Sequence, residues 1–312
     1  MHTPPITNDR SASARVSKKA FALAIFLVVG VVVLAWWFQP ADPAASLRAI
    51  WSPYARLQRQ PVPRLGERVE RWRIIDKAGH SVRALWRPAV AGTSRPWTVV
   101  MLGGVETDER AVLLLPADAR ANVLSVSWAW NIAPRESLLN ALQFRGAALH
   151  SAAALALAMD ALVDVPESDP TRVVLLGVSL GVPPALAALQ LSDKPRALVL
   201  VDGAADLKQV IQRRLARKLR PQWLAAPVAA LIARLIRPLE PSLNLPRAAG
   251  LSALVINARN DKFLPIATIE RLRAALPKAD KRWRQDSHIE PEHGATIAAL
   301  AAEVTAWLQS LK

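Results

Sequence analysis

The chain has 312 residues, of which 52% are apolar and 21% charged, and its formal net charge is +15. Such a composition supplies a sizeable core for one large α/β domain or two small ones, and it excludes general disorder. The absence of cysteine excludes disulfides and thiolate metal sites, and by itself says nothing about compartment.

The first predicted element is a membrane anchor. Residues 1–19 are polar and basic, with Arg10, Arg15, Lys18 and Lys19, and residues 20–38 then run without a charge. As a helix, that run just spans a hydrocarbon core, and Trp36 and Trp37 at its far end suit the membrane–water interface. The excess of Lys and Arg before the run puts the amino terminus in the cytoplasm and the rest outside, which in a bacterium is the periplasm. A cleaved signal peptide competes with the anchor, but it calls for a shorter apolar region and a cleaner small-residue site than QPADPAAS. A core helix would carry polar residues along one face, and this run has none. Residues 39–63 are expected to form a tether, with the main domain over 64–312.

Arg68–Ile75 and Ser81–Pro88 are extended runs separated by a turn-rich break, the pattern of an antiparallel hairpin. His80, in that break, is expected to be a solvated surface residue. Thr98–Leu102 is apolar and β-branched and stops at Gly103-Gly104. Val123–Ser127 is a further strand, and Trp128 and Trp130 beyond it are candidates for the core or for a pocket wall. Ser137–Leu162 has helical composition and contains His150, for which no chemical task is expected.

Val173–Leu176 then predicts a buried strand, Gly177-Val178-Ser179-Leu180-Gly181 follows at once, and Ala185–Leu191 predicts a helix. A serine on so sharp a strand-to-helix turn has its hydroxyl projected above the sheet, and Pro183 and Pro184 fall where a missing N–H costs little. Ala197–Val201 and Ala253–Asn257 repeat the short buried-strand pattern. Between them lies Ala204–Gly250, longer than a crossover requires, with nine Lys or Arg against Asp206 and Glu240, a net +7. Interleaved Leu, Ile and Trp with Pro breaks predict several short amphipathic helices. Lys281–Gln285 is expected as a last edge strand, and Ile297–Leu308 as a closing amphipathic helix. Alternation of strand and helix in this order predicts a mostly parallel sheet covered on both faces, with reactive loops at the strands' carboxyl ends.

From residue 64 onward these features resemble the α/β-hydrolases, in particular the dienelactone hydrolase-like and prolyl-oligopeptidase-like serine hydrolases. The resemblance implies an α/β-hydrolase fold with about eight strands and a triad in the order serine, acid, histidine. Ser179 is the implied nucleophile, on the strand-to-helix elbow formed by Gly177–Gly181. Asp261, after ALVIN and before Phe263-Leu264-Pro265, matches the acid loop. Asp202, at the end of ALVLV, is the alternative acid, or a residue that caps its own turn. His288, in Asp286-Ser287-His288-Ile289-Glu290-Pro291, is the implied base, with His293 as the alternative. The oxyanion hole would take the backbone N–H of Leu180 and that of Gly104 or Val105. Gly103 stands where many relatives have histidine, and Val182 stands where a second glycine often follows the elbow.

The expected function is therefore a membrane-anchored serine esterase or thioesterase acting on a small-molecule acyl substrate, with no metal or cofactor. A peptidase or amidase of the same fold is an alternative, as is an inactive binding or scaffold protein. The insertion over 204–250 is expected to form a basic cap that meets anionic lipid or an acidic substrate, or is simply a solvated face. No nucleic-acid recognition motif is present, and no nucleic-acid partner is expected.

Overall fold

The computed structural model describes residues 29–30, 42–66, 68–104, 106–116, 118–129, 138–290 and 292–311. The chain forms two compact units, residues 1–39 and residues 40–312. Of the anchor predicted over 20–38, all but Val29 and Gly30 lies outside the described residues; those two are helical.

In the second unit the chain begins with α1 (Pro43–Arg48), β1 (Tyr54–Pro61), β2 (Glu70–Asp76), β3 (Ser81–Arg87), β4 (Trp97–Leu102) and β5 (Ala121–Val126). It continues through α2 (Leu138–Ala161), β6 (Val173–Val178), α3 (Val182–Ala188) and β7 (Pro195–Val201). The insertion holds α4 (Leu207–Lys218), α5 (Ala225–Leu235) and α6 (Pro241–Asn244), and the chain closes with β8 (Ser252–Ala258), α7 (Ile266–Ala274), β9 (Asp280–Arg284) and α8 (Gly294–Ser310).

The nine strands make one sheet in the order β1-β2-β3-β5-β4-β6-β7-β8-β9. The β1, β2, β3 and β5 pairings are antiparallel, and every pairing from β5–β4 to β8–β9 is parallel. The central strands are buried beyond their first residues because both faces are covered, so their sequences are nearly continuous apolar runs. Successive side chains nevertheless go to opposite faces. Val173, Leu175, Leu198, Leu200 and Val255 join one core with α2 and α3, whereas Val174, Leu176, Val199, Val201 and Ile256 join the other with α8.

One expectation needs correction. The tether over 39–63 is, from residue 42 onward, part of the folded domain: Leu47 of α1 is fully buried, and β1 pairs along β2. The sheet accordingly has nine strands rather than about eight. Tyr54-Ala-Arg-Leu-Gln-Arg-Gln-Pro61 has no apolar alternation because it is an exposed edge strand, where charge and proline are tolerated. It is held by pairing and by contacts remote in sequence: Arg59 bonds Glu70 and Glu167, and Tyr54 donates to Asp164.

Among the described residues one helical stretch, Gln143–Asp164, is long and apolar enough to cross a membrane. Its apolar window is 72% buried within the protein, which makes it a core helix.

Candidate active site

Ser179, Asp261 and His288 each lie in the loop at the carboxyl end of a parallel strand, where the chain rises off the sheet. Ser179 directly follows β6 and has a positive φ of 52°, a strained conformation for a non-glycine residue. The chain enters a short helical turn at Ser179–Gly181 and then α3. Side chains are excluded at both flanking glycines. A Cβ on Gly177 would come within 2.9 Å of the Gly181 carbonyl oxygen and Val182 Cα, and one on Gly181 would overlap the Leu102 carbonyl oxygen at the end of β4. The elbow is thus pressed against the turn that follows β4.

The Ser179 hydroxyl lies 2.7 Å from His288 Nε2. His288 Nδ1 lies 2.6 Å from Asp261 Oδ2. Asp261 follows β8 and His288 follows β9, so the three side chains converge across the ends of β6, β8 and β9 although 109 positions separate the serine from the histidine. The other oxygen of Asp261 accepts the N–H groups of Phe263 and Leu264, at 2.7 and 2.8 Å. Burial pushes the Asp261 carboxyl up, but the His288 ring and those two amides outweigh it and hold the group below its ordinary value. An ionised Asp261 accepts from Nδ1–H, leaving Nε2 as the acceptor of the Ser179 proton. Asp261 and His288 are both buried, Phe263 meets the imidazole edge-on at 5.3 Å, and Ser179 is half-buried beneath the exposed Leu180.

The alternative candidates lie elsewhere. Asp202 is buried and does not meet His288. Its oxygens take Arg284 at 2.7 Å, Ile289 N–H at 2.8 Å and Ala258 N–H at 3.0 Å. It therefore ties β8, β9 and the loop carrying His288 together, a role that its place after ALVLV did not signal; Arg284, near the end of the edge strand, is the missed partner. His293 precedes α8, half-exposed, with Nε2 3.9 Å from Glu290. His80 is exposed and pairs with Asp76, and His150 is exposed with Nδ1 on the Gly146 carbonyl.

Of the oxyanion-hole candidates, Leu180 is the middle residue of the turn Ser179–Gly181 and Gly104 follows the end of β4. Val105 lies outside the described residues, as does Trp130. Trp128 is buried; its indole donates to the Gly103 carbonyl at 3.0 Å, and its backbone N–H donates to Asp108. It braces the turn after β4 from within the core.

The insertion is fastened at both ends. Glu240 accepts the N–H groups of Asp206 and Leu207 at 2.8 and 2.9 Å, closing its far end onto the start of α4. Arg217 donates to the Lys262 carbonyl, next to Asp261, which sets α4 beside the acid loop. A cavity of about 520 Å³ opens there between Pro265 and a polar wall that includes Lys208, Gln209, Gln212 and Arg213.

No protein-family model and no curated protein matches the sequence. Solved structures do match its fold. An acetyl xylan esterase of a Thermoanaerobacterium species aligns with a TM-score of 0.57 at 16% identity, over 86% of this chain and 92% of that one. An esterase of Pyrococcus furiosus aligns with a TM-score of 0.55 at 16% identity, over 83% and 97%. A puromycin-hydrolyzing peptidase of Mycobacterium tuberculosis aligns with a TM-score of 0.57 at 20% identity, over 77% of this chain but only 39% of that longer one.

Proposed function

We propose that this chain of α/β-hydrolase fold is a serine hydrolase that cleaves an ester or thioester, anchored in a membrane by residues 20–38. The observation that carries the chemistry is the unbroken relay from the Ser179 hydroxyl through His288 to Asp261, at 2.7 and 2.6 Å. In that reaction the Ser179 oxygen attacks the acyl carbon while His288 Nε2 takes its proton. Asp261 holds the imidazole tautomer and stabilises the imidazolium. The N–H of Leu180, at a helix start where the dipole helps, and that of Gly104 or Val105 receive the oxyanion. His288 then returns the proton to the departing alcohol or thiol. Water, activated by the same nitrogen, releases the acid and restores Ser179.

An ester is preferred to a peptide bond because structures described as esterases align over nearly their full length, whereas the peptidase has more than half of its chain outside the alignment. The exposed apolar side chains of Leu180 and Phe263 beside the relay suit an apolar acyl group at the mouth. A fluorophosphonate probe is expected to label the protein, and Ser179→Ala to lose the label while keeping its thermal unfolding transition. A panel of p-nitrophenyl esters of increasing acyl length then reads the pocket. Absence of labelling and of ester turnover in the folded protein would leave a binding role instead.

The anchor is supported by the charge-free run at 20–38 and by the basic residues before it. On this topology the hydrolase unit lies outside the cytoplasm. A phosphatase reporter fused after residue 312 is expected to be active and a cytoplasmic reporter silent; the reverse pattern would overturn the orientation.

A further inference from the structure

The insertion between β7 and β8 turns toward solvent a surface that the proposed chemistry does not use. α4 and α5 pack against each other, and α5 turns Ala225 and Ala229 inward. Its outer side carries Ala226, Pro227 and Ala230, positions that share one helical face. Trp223, in the helical turn Gln222–Leu224 just before α5, extends that face and is 69% exposed. An indole is a large apolar body with one polar handle, and its favoured exposed setting is the boundary between water and lipid. Beside it runs α4, none of whose residues is buried, with Arg213, Arg214 and Lys218, and Arg220 beyond its end; Arg217 is turned to the Lys262 carbonyl. The only two carboxylates of the insertion are engaged within the protein, Asp206 with Arg271 and Glu240 with the start of α4. An apolar ridge headed by tryptophan and flanked by a dense positive helix is the makeup of an interfacial surface.

A second observation concerns where the domain begins. α1 packs against the turn Arg237–Leu239 at the end of α5, and Leu47 shares a core cluster with Ile236 and Leu239. Only residues 39–42 separate α1 from the run predicted to span the membrane, a connection that can extend no more than ~18 Å. The first element after that run along the chain therefore packs on the insertion.

We propose that the α4–α5 side of the insertion rests on anionic lipid headgroups, with Trp223 at the headgroup–acyl boundary and the flanking Arg and Lys facing the lipid phosphates. This rests on the membrane anchor proposed above.

The chain has no cysteine, so Ala226→Cys and Ala306→Cys each create a single site for a nitroxide label. Ala306 is exposed on α8, which packs on the opposite sheet face from the end of the insertion, and serves as the control. The labelled full-length chain is reconstituted into nanodiscs of phosphatidylcholine alone or with phosphatidylglycerol added, and thermal unfolding verifies that each variant is folded. In the anionic discs the label at 226 is expected to collide several-fold less with an aqueous nickel chelate than the label at 306, while remaining open to oxygen. Arg213→Glu with Arg220→Glu is expected to restore its access to water. A label at 226 as water-accessible as the control would overturn the proposal. So would equal shielding in neutral and anionic discs, which leaves the charge no role, or shielding from oxygen and nickel alike, which marks contact with another protein copy. A chain that stays in the discs with 226 in water removes only this inference. A chain that enters neither discs nor added anionic vesicles removes the anchor with it.

Discussion

Asp261 and Asp202 are both buried at the ends of neighbouring strands, and their partners give them different tasks. Because the folded pKa of Asp261 is depressed, its charged form stabilises the native state. That contribution is fully present above the unfolded value of about 3.9 and is lost as pH falls through the lower folded value. Asp261→Asn is thus expected to flatten the acid limb of a stability–pH curve. Because it also fails to hold the Nδ1–H tautomer, it should lower kcat by ~10⁴-fold with little change in KM, measured in initial-rate assays. Asp202 acts through Arg284 and through the backbone of the His288 loop. Its side chain is fully buried and that of Arg284 only 10% exposed. Asp202→Ala leaves the N–H groups of Ala258 and Ile289 without their acceptor and Arg284 with Asp286 as its remaining carboxylate, so it is expected to cost about 2–5 kcal/mol in thermal or denaturant unfolding. Both aspartates were legible as candidates, since each ends an apolar strand. What separated them is Arg284, 82 positions after Asp202, and no local pattern announces a partner that far along the chain.

At the scale of elements, the central strands were readable because a strand buried on both faces must be apolar throughout. The elbow was readable because its glycines answer a local steric demand. Val182 shows the opposite case. It stands where a second glycine is common, and the space it needs comes from Gly203, where an added Cβ would lie 2.8 Å from the Val182 side chain. The two positions adjust to each other across β6 and β7. The edge strand β1 was not readable. Four of its eight residues are Arg or Gln, and it is a strand because β2 offers it a ladder of hydrogen bonds. A chain beginning at residue 64 would expose the edge of β2, with Trp72 and Ile74 near it. It is expected to aggregate on refolding, as read by light scattering, with loss of fluorophosphonate labelling.

For the whole molecule, a chain beginning at residue 40 keeps α1, β1 and both cores. It is expected to remain monodisperse and to label at Ser179 as the full chain does, which the same two measurements test. The basic excess is also a whole-molecule property. Nearly half of the net +15 comes from 204–250, and in the fold that charge gathers on the α4–α5 side beside Trp223. By itself the sequence determined the alternation of buried strands and helices, the strained serine turn and the shortlist of acids and bases, because each depends on local sterics or on the period of apolar residues. Only the tertiary structure decided which aspartate meets the imidazole, that residues 42–61 belong to the folded domain, with Tyr54–Pro61 in its sheet, and which side the insertion presents. Those outcomes come from long-range pairing, where a hydrogen bond or ion pair depends on what another part of the chain brings within reach.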